Sequence, residues 1–410
     1  MVTGMKFLIF FLFLTQAYGS AWPNFGGPLR NQFSDEEGLK TDWEESEPEK
    51  LWELNVGLGY SSVTEVSGFA YTQGYSEGRN TLYCVESSTG KEIWQHSYPC
   101  EKAPKFFDGG SRATPTIANG ILYLCSHEGD FYALDAKSGK ILWTKNLITD
   151  FKGNRPMWGY SGSPLVVEHQ LILETGSSNG SLLCLDAQKG DVIWRSGESE
   201  AGYASPMLNS KNEILIFNEY GIVCHDLRSG KVIKKYQHKT RYGINAAQPT
   251  LFGDRILISS AYGKGAALVD FTKRVPAAIW ESESFSCQMA SLVKKGQYGF
   301  GIHGQAGGRS AQSKLFCIDL VSGKEKWSEK GFGLGTVLLV RDTLVILSDR
   351  GELCLAEANN RQFIELARFQ VLSGKNNWTP PTYVNGRMHC RNSKGDWVCL
   401  KMGNKIIMTD

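Results

Sequence analysis

One pattern of apolar and polar positions recurs along this chain. Each copy has a short apolar strand, an acidic residue, a turn that contains Gly and a second strand that often carries Trp. The clearest copies are residues 82–94, 131–143, 182–194 and 315–327. Apolar spacing at the period of an α-helix is not sustained for long anywhere. One unit of this size cannot bury its own apolar faces, so the copies must pack on each other in a repeat architecture.

The acidic position sets the phase of the repeat. It is occupied, in chain order, by Glu86, Asp135, Asp186, Asp226, Asp270, Asp319, Glu357 and, as a substitute, Lys401. The steps between these positions are 38 to 51 residues, enough for four short strands and their turns, which is the size of a propeller blade. Eight such units fill nearly all of the chain. The sequence therefore predicts an all-β, eight-bladed β-propeller of four-stranded antiparallel blades.

The acidic residue, the Gly and the Trp have structural roles in this prediction. Asp135 can accept backbone N–H bonds at the start of a turn, and Gly139 can supply a positive φ. A Trp in the outer strand can pack across to the next blade. We expect this inter-blade role for the recurring tryptophans Trp94, Trp143, Trp194, Trp280 and Trp327.

A second recurring mark is a proline at the start of each predicted innermost strand. It is found in the pairs Thr114-Pro115, Ser163-Pro164, Ser205-Pro206, Gln248-Pro249 and Pro380-Pro381. Proline is tolerated where no ladder partner needs its N–H, so these pairs indicate the mouth of the central channel. For ring closure, residues 50–54 around Trp52 resemble an outer strand without its own blade, and we expect them to complete the last blade. The tail at residues 405–408 is the competing candidate.

The N-terminus has the features of a secretory signal peptide. Lys6 precedes an apolar run at residues 7–14, and Ala17-Tyr18-Gly19 follows. The run is too short to span a bilayer, and the first cysteine is Cys84, so no lipid-attachment cysteine is expected. The predicted organisation is a signal peptide at 1–19, a lead segment at 20–49 and one propeller domain at 50–410. We expect a soluble periplasmic or secreted protein, with Met1 or Met5 as the translation start.

Charge and cysteine content limit the partners and cofactors. The net charge is +2, from 44 basic and 42 acidic residues, which argues against nucleic acid or an anionic membrane as a partner. We expect a monomeric ring. No Cys-x-x-Cys motif is present and the seven histidines are dispersed, so no metal site is predicted.

Most of the ten cysteines are expected to be packed in the core as free thiols and not to form disulfide bonds. Six of them occupy the same phase of different repeats, where they are expected to be small buried hydrophobes. These are Cys84, Cys184, Cys224, Cys317, Cys354 and Cys399. Cys390 and Cys399, on adjacent strands of one predicted hairpin, are the possible disulfide pair.

The pattern LDAxxGxxxW, at residues 134–143 and 185–194, resembles the tryptophan-docking repeat of the pyrroloquinoline quinone (PQQ) propeller superfamily. That superfamily includes quinoprotein dehydrogenases, the propeller lipoprotein of the outer-membrane β-barrel assembly machine and many exported bacterial proteins. The segments WGYSGSP (158–164), GYASP (202–206) and NWTPPTYVNGRMHCRN (377–392) are most similar to the last group. The resemblance implies the fold and leaves the function open.

Two functions are compatible with this resemblance. The leading hypothesis is a non-enzymatic binding or scaffold platform for a protein, peptide or glycan of the cell envelope, with no catalytic residues and no cofactor. The alternative is a PQQ-dependent alcohol dehydrogenase, intact or degenerate, which would need PQQ, Ca²⁺ and a carboxylate base to be active. Its relatives use a vicinal Cys-Cys pair beside the quinone, and this sequence has none.

The candidate ligand or partner surface lies in the loops that lead to the innermost strands. Its predicted residues are Arg112, Trp158, Tyr203, Asn245, Gln248 and Trp378. The loop at 98–112, which contains Phe107 and Asp108, mixes aromatic and charged residues and is a second candidate for partner contact. An ordinary inter-blade connection is its alternative interpretation.

Overall fold

The computed structural model describes residues 21–43, 47–102, 107–307 and 312–403. Within them, eight sheets follow one another along the chain, each with four antiparallel strands, and one sheet gains a fifth strand. The predicted eight-bladed all-β propeller is thus confirmed. The predicted signal peptide and the tail at 405–408 lie outside the described residues. Within the described part of the chain, no helix has the length and apolar character needed to span a membrane.

Two short strands precede the first blade. They are β1 (Phe33–Ser34) and β2 (Glu49–Asn55). Blades 1 and 2 consist of β3 (Thr64–Val66), β4 (Phe69–Ser76), β5 (Arg79–Glu86), β6 (Glu92–Pro99), β7 (Thr116–Ala118), β8 (Ile121–Cys125), β9 (Asp130–Asp135) and β10 (Ile141–Asn146). Blades 3 and 4 consist of β11 (Leu165–Val167), β12 (Gln170–Glu174), β13 (Leu182–Asp186), β14 (Val192–Ser196), β15 (Met207–Leu208), β16 (Ile214–Phe217), β17 (Gly221–His225) and β18 (Val232–Gln237).

The second half of the ring repeats this arrangement. Blades 5 and 6 consist of β19 (Thr250–Phe252), β20 (Arg255–Ser260), β21 (Gly265–Asp270), β22 (Ala277–Ser282), β23 (Val293–Lys295), β24 (Tyr298–His303), β25 (Lys314–Asp319) and β26 (Glu325–Glu329). Blades 7 and 8 contain β27 (Thr336–Val340), β28 (Thr343–Leu347), β29 (Glu352–Glu357), β30 (Glu365–Gln370), β31 (Thr382–Val384), β32 (Arg387–Arg391) and β33 (Asp396–Lys401).

The N-terminal strand β2 closes the ring. It pairs antiparallel with β33 and supplies the outermost strand of blade 8, with Trp52 opposite Cys399. Closure near Trp52 is therefore found as predicted. The shorter strand β1 adds to blade 7 by pairing in parallel with β27, so the N-terminal segment also crosses to another blade before it reaches the closing position.

Each recurring Trp joins its own blade to the next. Its indole Nε1–H donates to a backbone oxygen in the turn between the third and fourth strands of the following blade. The pairs are Trp94 to Ala136, Trp143 to Ala187, Trp194 to Leu227, Trp280 to Leu320, Trp327 to Asn359 and, across the closure, Trp52 to Ser87, all at 2.9–3.2 Å. In blade 4, Lys234 takes the same position and donates to the Phe271 oxygen at 2.6 Å.

The recurring cysteines lie on the third strands, in register with these docking positions. Cys84, Cys184 and Cys317 face Trp94, Trp194 and Trp327 across the strand pair. All ten cysteines are buried and free. The predicted pair of Cys390 and Cys399 is not formed. Cys390 faces Val398 and His389 faces Cys399, so the two thiols point to opposite faces of the sheet, because side chains alternate along a strand.

A belt of hydrogen bonds runs along the channel from blade 1 to blade 6, and in blades 2 to 5 its residues directly precede the recurring prolines. Each backbone N–H in this belt donates to a side-chain oxygen at the equivalent position of the next blade. The belt runs from Ser62 to Thr114, Ser163, Ser205, Gln248 and Ser291, at 2.9–3.1 Å. It fixes the starts of the innermost strands relative to one another, and the loops just before those starts form the candidate site.

The joint between blades 8 and 1 contains a buried charge cluster. The Glu65 carboxylate pairs with the Arg387 guanidinium, and its Oε2 lies 2.8 Å from Nε2 of His389. Burial alone would raise the pKa of Glu65, but the hydrogen bonds and charges of His389 and Arg387 outweigh it and hold that pKa below its ordinary value. The carboxylate thus stays ionised inside the closing joint.

Candidate functional site

An open cavity of about 500 Å³ lies at the face of the ring where the innermost strands begin. This volume is in the usual range for small-ligand pockets. Its lining is mainly aromatic and apolar. The lining includes Phe25, Tyr60, Phe107, Arg112, Met157, Trp158, Tyr203, Tyr242, Tyr262 and Trp378. Of the predicted site residues, Arg112, Trp158, Tyr203 and Trp378 lie together at this cavity, and they come from four different inter-blade loops.

A cluster of three aromatic rings forms one wall of this cavity. Tyr60 stacks on Trp378 with ring centroids 5.6 Å apart, and Phe107 meets Trp378 edge-on at 4.7 Å. Phe107 also lies 6.5 Å from the ring of Trp158. Such contacts stabilise a fixed arrangement of rings, so the wall presents flat apolar surfaces that are already in place before a ligand arrives.

The opposite wall carries tyrosines. The backbone N–H of Trp158 donates to Oη of Tyr203 at 3.3 Å, and Tyr242 packs edge-on against Tyr262 at 5.1 Å. Burial raises the pKa of Tyr203 to about 12, so its phenol is neutral at physiological pH. These side chains offer hydroxyl groups and ring faces, and no charge.

Arg112 is the one cation among the described lining residues. Its guanidinium carbon lies 5.9 Å from the ring centre of Tyr60, and its Nε is buried without a hydrogen-bond partner. Burial lowers the pKa of Arg112 below its ordinary value. The described lining contains no Asp or Glu. The pocket therefore combines apolar surface with a cation that has no anionic partner.

Two predicted site residues do not line this cavity. Asn245 is fully buried, donates from Nδ2 to the backbone oxygens of Asn218 and His238, and accepts from Ser260. Gln248 is buried in the hydrogen-bonded belt, where it joins Ser205 of blade 4. Their polar side chains satisfy backbone groups between blades, so the prediction that they form ligand surface was wrong.

The N-terminal segment forms part of the site that the sequence did not reveal. Phe25 lines the aromatic pocket, whereas Leu29, Arg30 and Asn31 line a second cavity of about 1120 Å³. The segment spans the channel, because Pro23 accepts from Ile117 of blade 2 and Gln32 accepts from Leu339 of blade 7. The predicted lead segment thus borders both cavities. In the sequence, Gly26-Gly27-Pro28 indicates a turn in this segment but does not indicate that it crosses the channel.

Arg30 anchors this segment in the channel. Its guanidinium donates to the backbone oxygens of Ser163 and Pro164 and to the hydroxyl of Thr116. Burial lowers the pKa of Arg30 to about 9, so the side chain stays mostly cationic at neutral pH. Three oxygen acceptors from blades 2 and 3 hold this charge in place.

A small internal cavity adjoins the aromatic pocket at Ser161, which lines both. The Glu174 carboxyl reaches into it, accepts from the Gly202 N–H at 3.1 Å through Oε2, and leaves its Oε1 buried without a partner. Burial raises the pKa of Glu174 to about 8. This carboxyl is therefore largely neutral at physiological pH and adds no fixed charge to the pocket.

The described residues do not fit a PQQ–Ca²⁺ centre. Calcium requires several oxygen ligands, usually including carboxylates, and the described pocket lining has none from Asp or Glu. The quinone carries three carboxylates, and Arg112 would be the one cation of the described lining to balance them. The sequence also lacks adjacent cysteines.

The fold and the pocket define a tryptophan-docked propeller of the PQQ-like class. Residues 78–329, more than half of the chain, match the sequence model of the family described as outer membrane protein assembly factor BamB, and the chain belongs to this family. BamB of Moranella endobia (strain PCIT) is 24% identical over 259 residues, which cover 60% of this chain and 64% of the relative.

Similarity to quinoprotein dehydrogenases is also present. The dehydrogenase subunit of quinone alcohol dehydrogenase from Komagataeibacter europaeus is 31% identical over 124 residues, 28% of this chain, and the match spans only 16% of that relative. Among solved structures, quinohemoprotein alcohol dehydrogenase from Comamonas testosteroni superposes with a TM-score of 0.70, at 14% identity, over 95% of this chain and 82% of that one. BamB from Moraxella catarrhalis gives 0.63, at 15% identity, over 87% and 100%. These structures share the fold.

Proposed function

We propose that this chain is a non-enzymatic binding platform of the cell envelope and that its aromatic pocket holds an extended polypeptide segment. The observation that carries the proposal is the pocket itself, with stacked aromatic walls, one unpaired cation and no carboxylate in its described lining. Such a surface binds through apolar contact and one charge. Its described lining offers no carboxylate that could act as the base or as a calcium ligand in alcohol oxidation.

The chemistry of the walls indicates which segment fits best. Flat rings and a volume of about 500 Å³ suit one or two large apolar side chains. The guanidinium of Arg112 prefers a carboxylate, because Arg forms paired, charge-assisted hydrogen bonds with one. The preferred ligand is therefore a peptide with an aromatic residue next to Asp or Glu.

The family match supports the platform proposal. The matched family carries the description of an assembly factor for outer membrane proteins, which implies contact with polypeptides. The predicted signal peptide at 1–19 would direct the ring to the cell envelope, where outer membrane proteins are assembled. The similarity to dehydrogenases supports the fold, and its aligned part is a small share of those longer relatives.

The proposal can be tested by photo-cross-linking to a defined probe. The test position for a photoreactive residue is Met157, which lines the pocket and is 70% exposed. The control position is Val275, which lies between β21 and β22, is 75% exposed and does not line the pocket. The probe is a biotinylated decapeptide with a central Phe-Asp pair. We expect cross-linking from position 157 and none from position 275.

A second arm of the experiment tests the dehydrogenase. The full chain is incubated with PQQ and Ca²⁺ and assayed for quinone absorbance and dye-coupled alcohol oxidation. Tight quinone binding with turnover would overturn the platform proposal, as would equal cross-linking from positions 157 and 275.

A further inference from the structure

Three side chains with metal-ligating atoms meet between blades 1 and 2. Cys100 follows strand β6, while His127 and Glu128 lie in the turn between β8 and β9. One ligating atom from each side chain lies within 4.8 Å of the others, and Cys100 Sγ is 3.8 Å from His127 Nδ1. Cys100 is 6% exposed and His127 is 1% exposed. The cluster is thus mostly shielded from water.

The hydrogen bonding of His127 is incomplete. Its Nε2 is buried with no partner, and the contact of Nδ1 with the thiol is long for a hydrogen bond. Buried polar side chains normally have partners, and an exception calls for an explanation such as a bound ion. A cation bound at Nδ1, the ring nitrogen that faces Sγ of Cys100, would replace this long contact with a coordination bond.

The geometry holds the third ligand beside the other two. The Glu101 N–H donates to Oε2 of Glu128 at 3.0 Å, and the Arg155 guanidinium lies 3.7 Å from Oε1 of the same carboxylate. A metal that binds Cys100 displaces the proton of its thiol.

We propose that Cys100, His127 and Glu128 form a binding site for a borderline d-block cation, represented by Zn²⁺, with water in the remaining position. Sulfur, imidazole and carboxylate together are ligands that zinc accepts, whereas Ca²⁺ and Mg²⁺ require oxygen ligands throughout. Binding exchanges the S–H bond of Cys100 for an S–metal bond and releases one proton to solvent. The thiolate and the Glu128 carboxylate then balance the two positive charges of the cation.

The site would stiffen one side of the aromatic pocket. The backbone oxygen of His127 accepts from the Tyr160 N–H at 2.9 Å, and Tyr160 follows closely after Trp158 in the loop that lines the pocket. The Arg155 side chain, 3.7 Å from Glu128 and half exposed, is free to move when the carboxylate turns to the metal. The metal site stands on its own residues and does not depend on the proposed peptide function.

Cobalt provides the test, because Co²⁺ replaces Zn²⁺ and reports thiolate ligation in its spectrum. The chelator-treated full chain is titrated with CoCl₂ while near-ultraviolet and visible absorbance and proton release are recorded. We expect one Co²⁺ per chain, a thiolate-to-cobalt charge-transfer band and one released proton. Zinc should displace the cobalt.

Variants assign the ligands. Cys100→Ser should lose the charge-transfer band, and His127→Gln should weaken binding by more than about tenfold. Cys125→Ser removes a buried thiol of blade 2 outside the cluster. This variant should keep the charge-transfer band and the affinity for cobalt unchanged. Absence of the charge-transfer band in the wild-type chain would overturn the proposal, and this outcome does not depend on whether a variant folds. An unchanged spectrum in a folded Cys100→Ser chain would also overturn it.

Discussion

Gln248 and Ser205 are joined by two hydrogen bonds across the boundary between blades 5 and 4. The side-chain Nε2 of Gln248 donates to the backbone oxygen of Ser205 at 2.9 Å, and the Ser205 N–H donates to Oε1 of Gln248 at 3.1 Å. At the equivalent positions of the belt, a single hydroxyl of Ser or Thr accepts the N–H. Gln248 is thus a two-point link between blades.

The first prediction concerns this link. Gln248→Ala leaves the buried N–H and C=O of Ser205 without these partners, so we expect the free energy of unfolding to fall by about 1–3 kcal/mol. Urea unfolding of the purified chain measures it. Gln362→Ala, at an exposed position, should change stability by less than about 0.5 kcal/mol. Equal stability of the two variants would contradict the role of Gln248 as a link between blades 4 and 5.

The second prediction concerns the ring closure. Gly90 has φ +71°, and a Cβ at this position would lie 2.7 Å from Cδ2 of Trp52. Gly78 has φ +78° with no atom within 4 Å of its Cβ position. Gly78→Ala therefore measures backbone strain alone, about 1–2 kcal/mol, and Gly90→Ala should cost about 1–3 kcal/mol more. Thermal and urea unfolding compare them. Equal losses would mean that Trp52 does not dock on Gly90.

The third prediction concerns the pH dependence that Glu174 imposes. Its pKa rises from 4.5 to about 8 because of burial, so between these values the folded chain holds a proton that the unfolded chain has lost. The stability of the wild-type chain should fall as the pH rises through this window, by at most about 1.4 kcal/mol per pH unit from this group. Glu174→Gln cannot ionise and should lack this loss.

The measurement is urea unfolding of both chains at several pH values in that window. The stability of Glu174→Gln relative to the wild-type chain should increase with pH up to about pH 8. Glu198→Gln, at an exposed carboxyl, is the matched control. Its stability relative to the wild-type chain should not change with pH. A constant difference for Glu174→Gln as well would refute the buried, protonated state.

The fold could be predicted because its signals are local and repeated. The turn at Asp135 and Gly139 and the Trp143 that follows lie within one short segment, and the same segment recurs in most blades. Strand β2 was recognisable for the same reason, since Trp52 repeats the docking residue of an outer strand. Lys234 could not be foreseen in that role, because it reaches the Phe271 oxygen only through a contact between blades.

The site could be predicted only in part. Arg112, Trp158, Tyr203 and Trp378 lie just before innermost strands, so their repeat phase placed them at the channel mouth. Asn245 has the same phase, yet its amide turns to backbone oxygens between blades.

Other features of the molecule have no repeat signal at all. Phe25 comes from outside the repeats and reaches the pocket through the N-terminal crossing. Cys100 and His127 are far apart in sequence and belong to different blades, so no ligand spacing indicated their contact.

The central claim is that Arg112 recognises a carboxylate within the aromatic pocket. Isothermal titration of two decapeptides, with a central Phe-Asp or Phe-Asn pair, against the wild-type chain and Arg112→Gln forms a double-mutant cycle. Arg228→Gln, at an exposed position in the turn before β18, controls for net charge. We predict that the wild-type chain and Arg228→Gln bind the Phe-Asp peptide at least about tenfold more tightly than the Phe-Asn peptide, and that Arg112→Gln binds both equally. An unchanged preference in Arg112→Gln, or no binding of either peptide to the wild-type chain, would contradict the account.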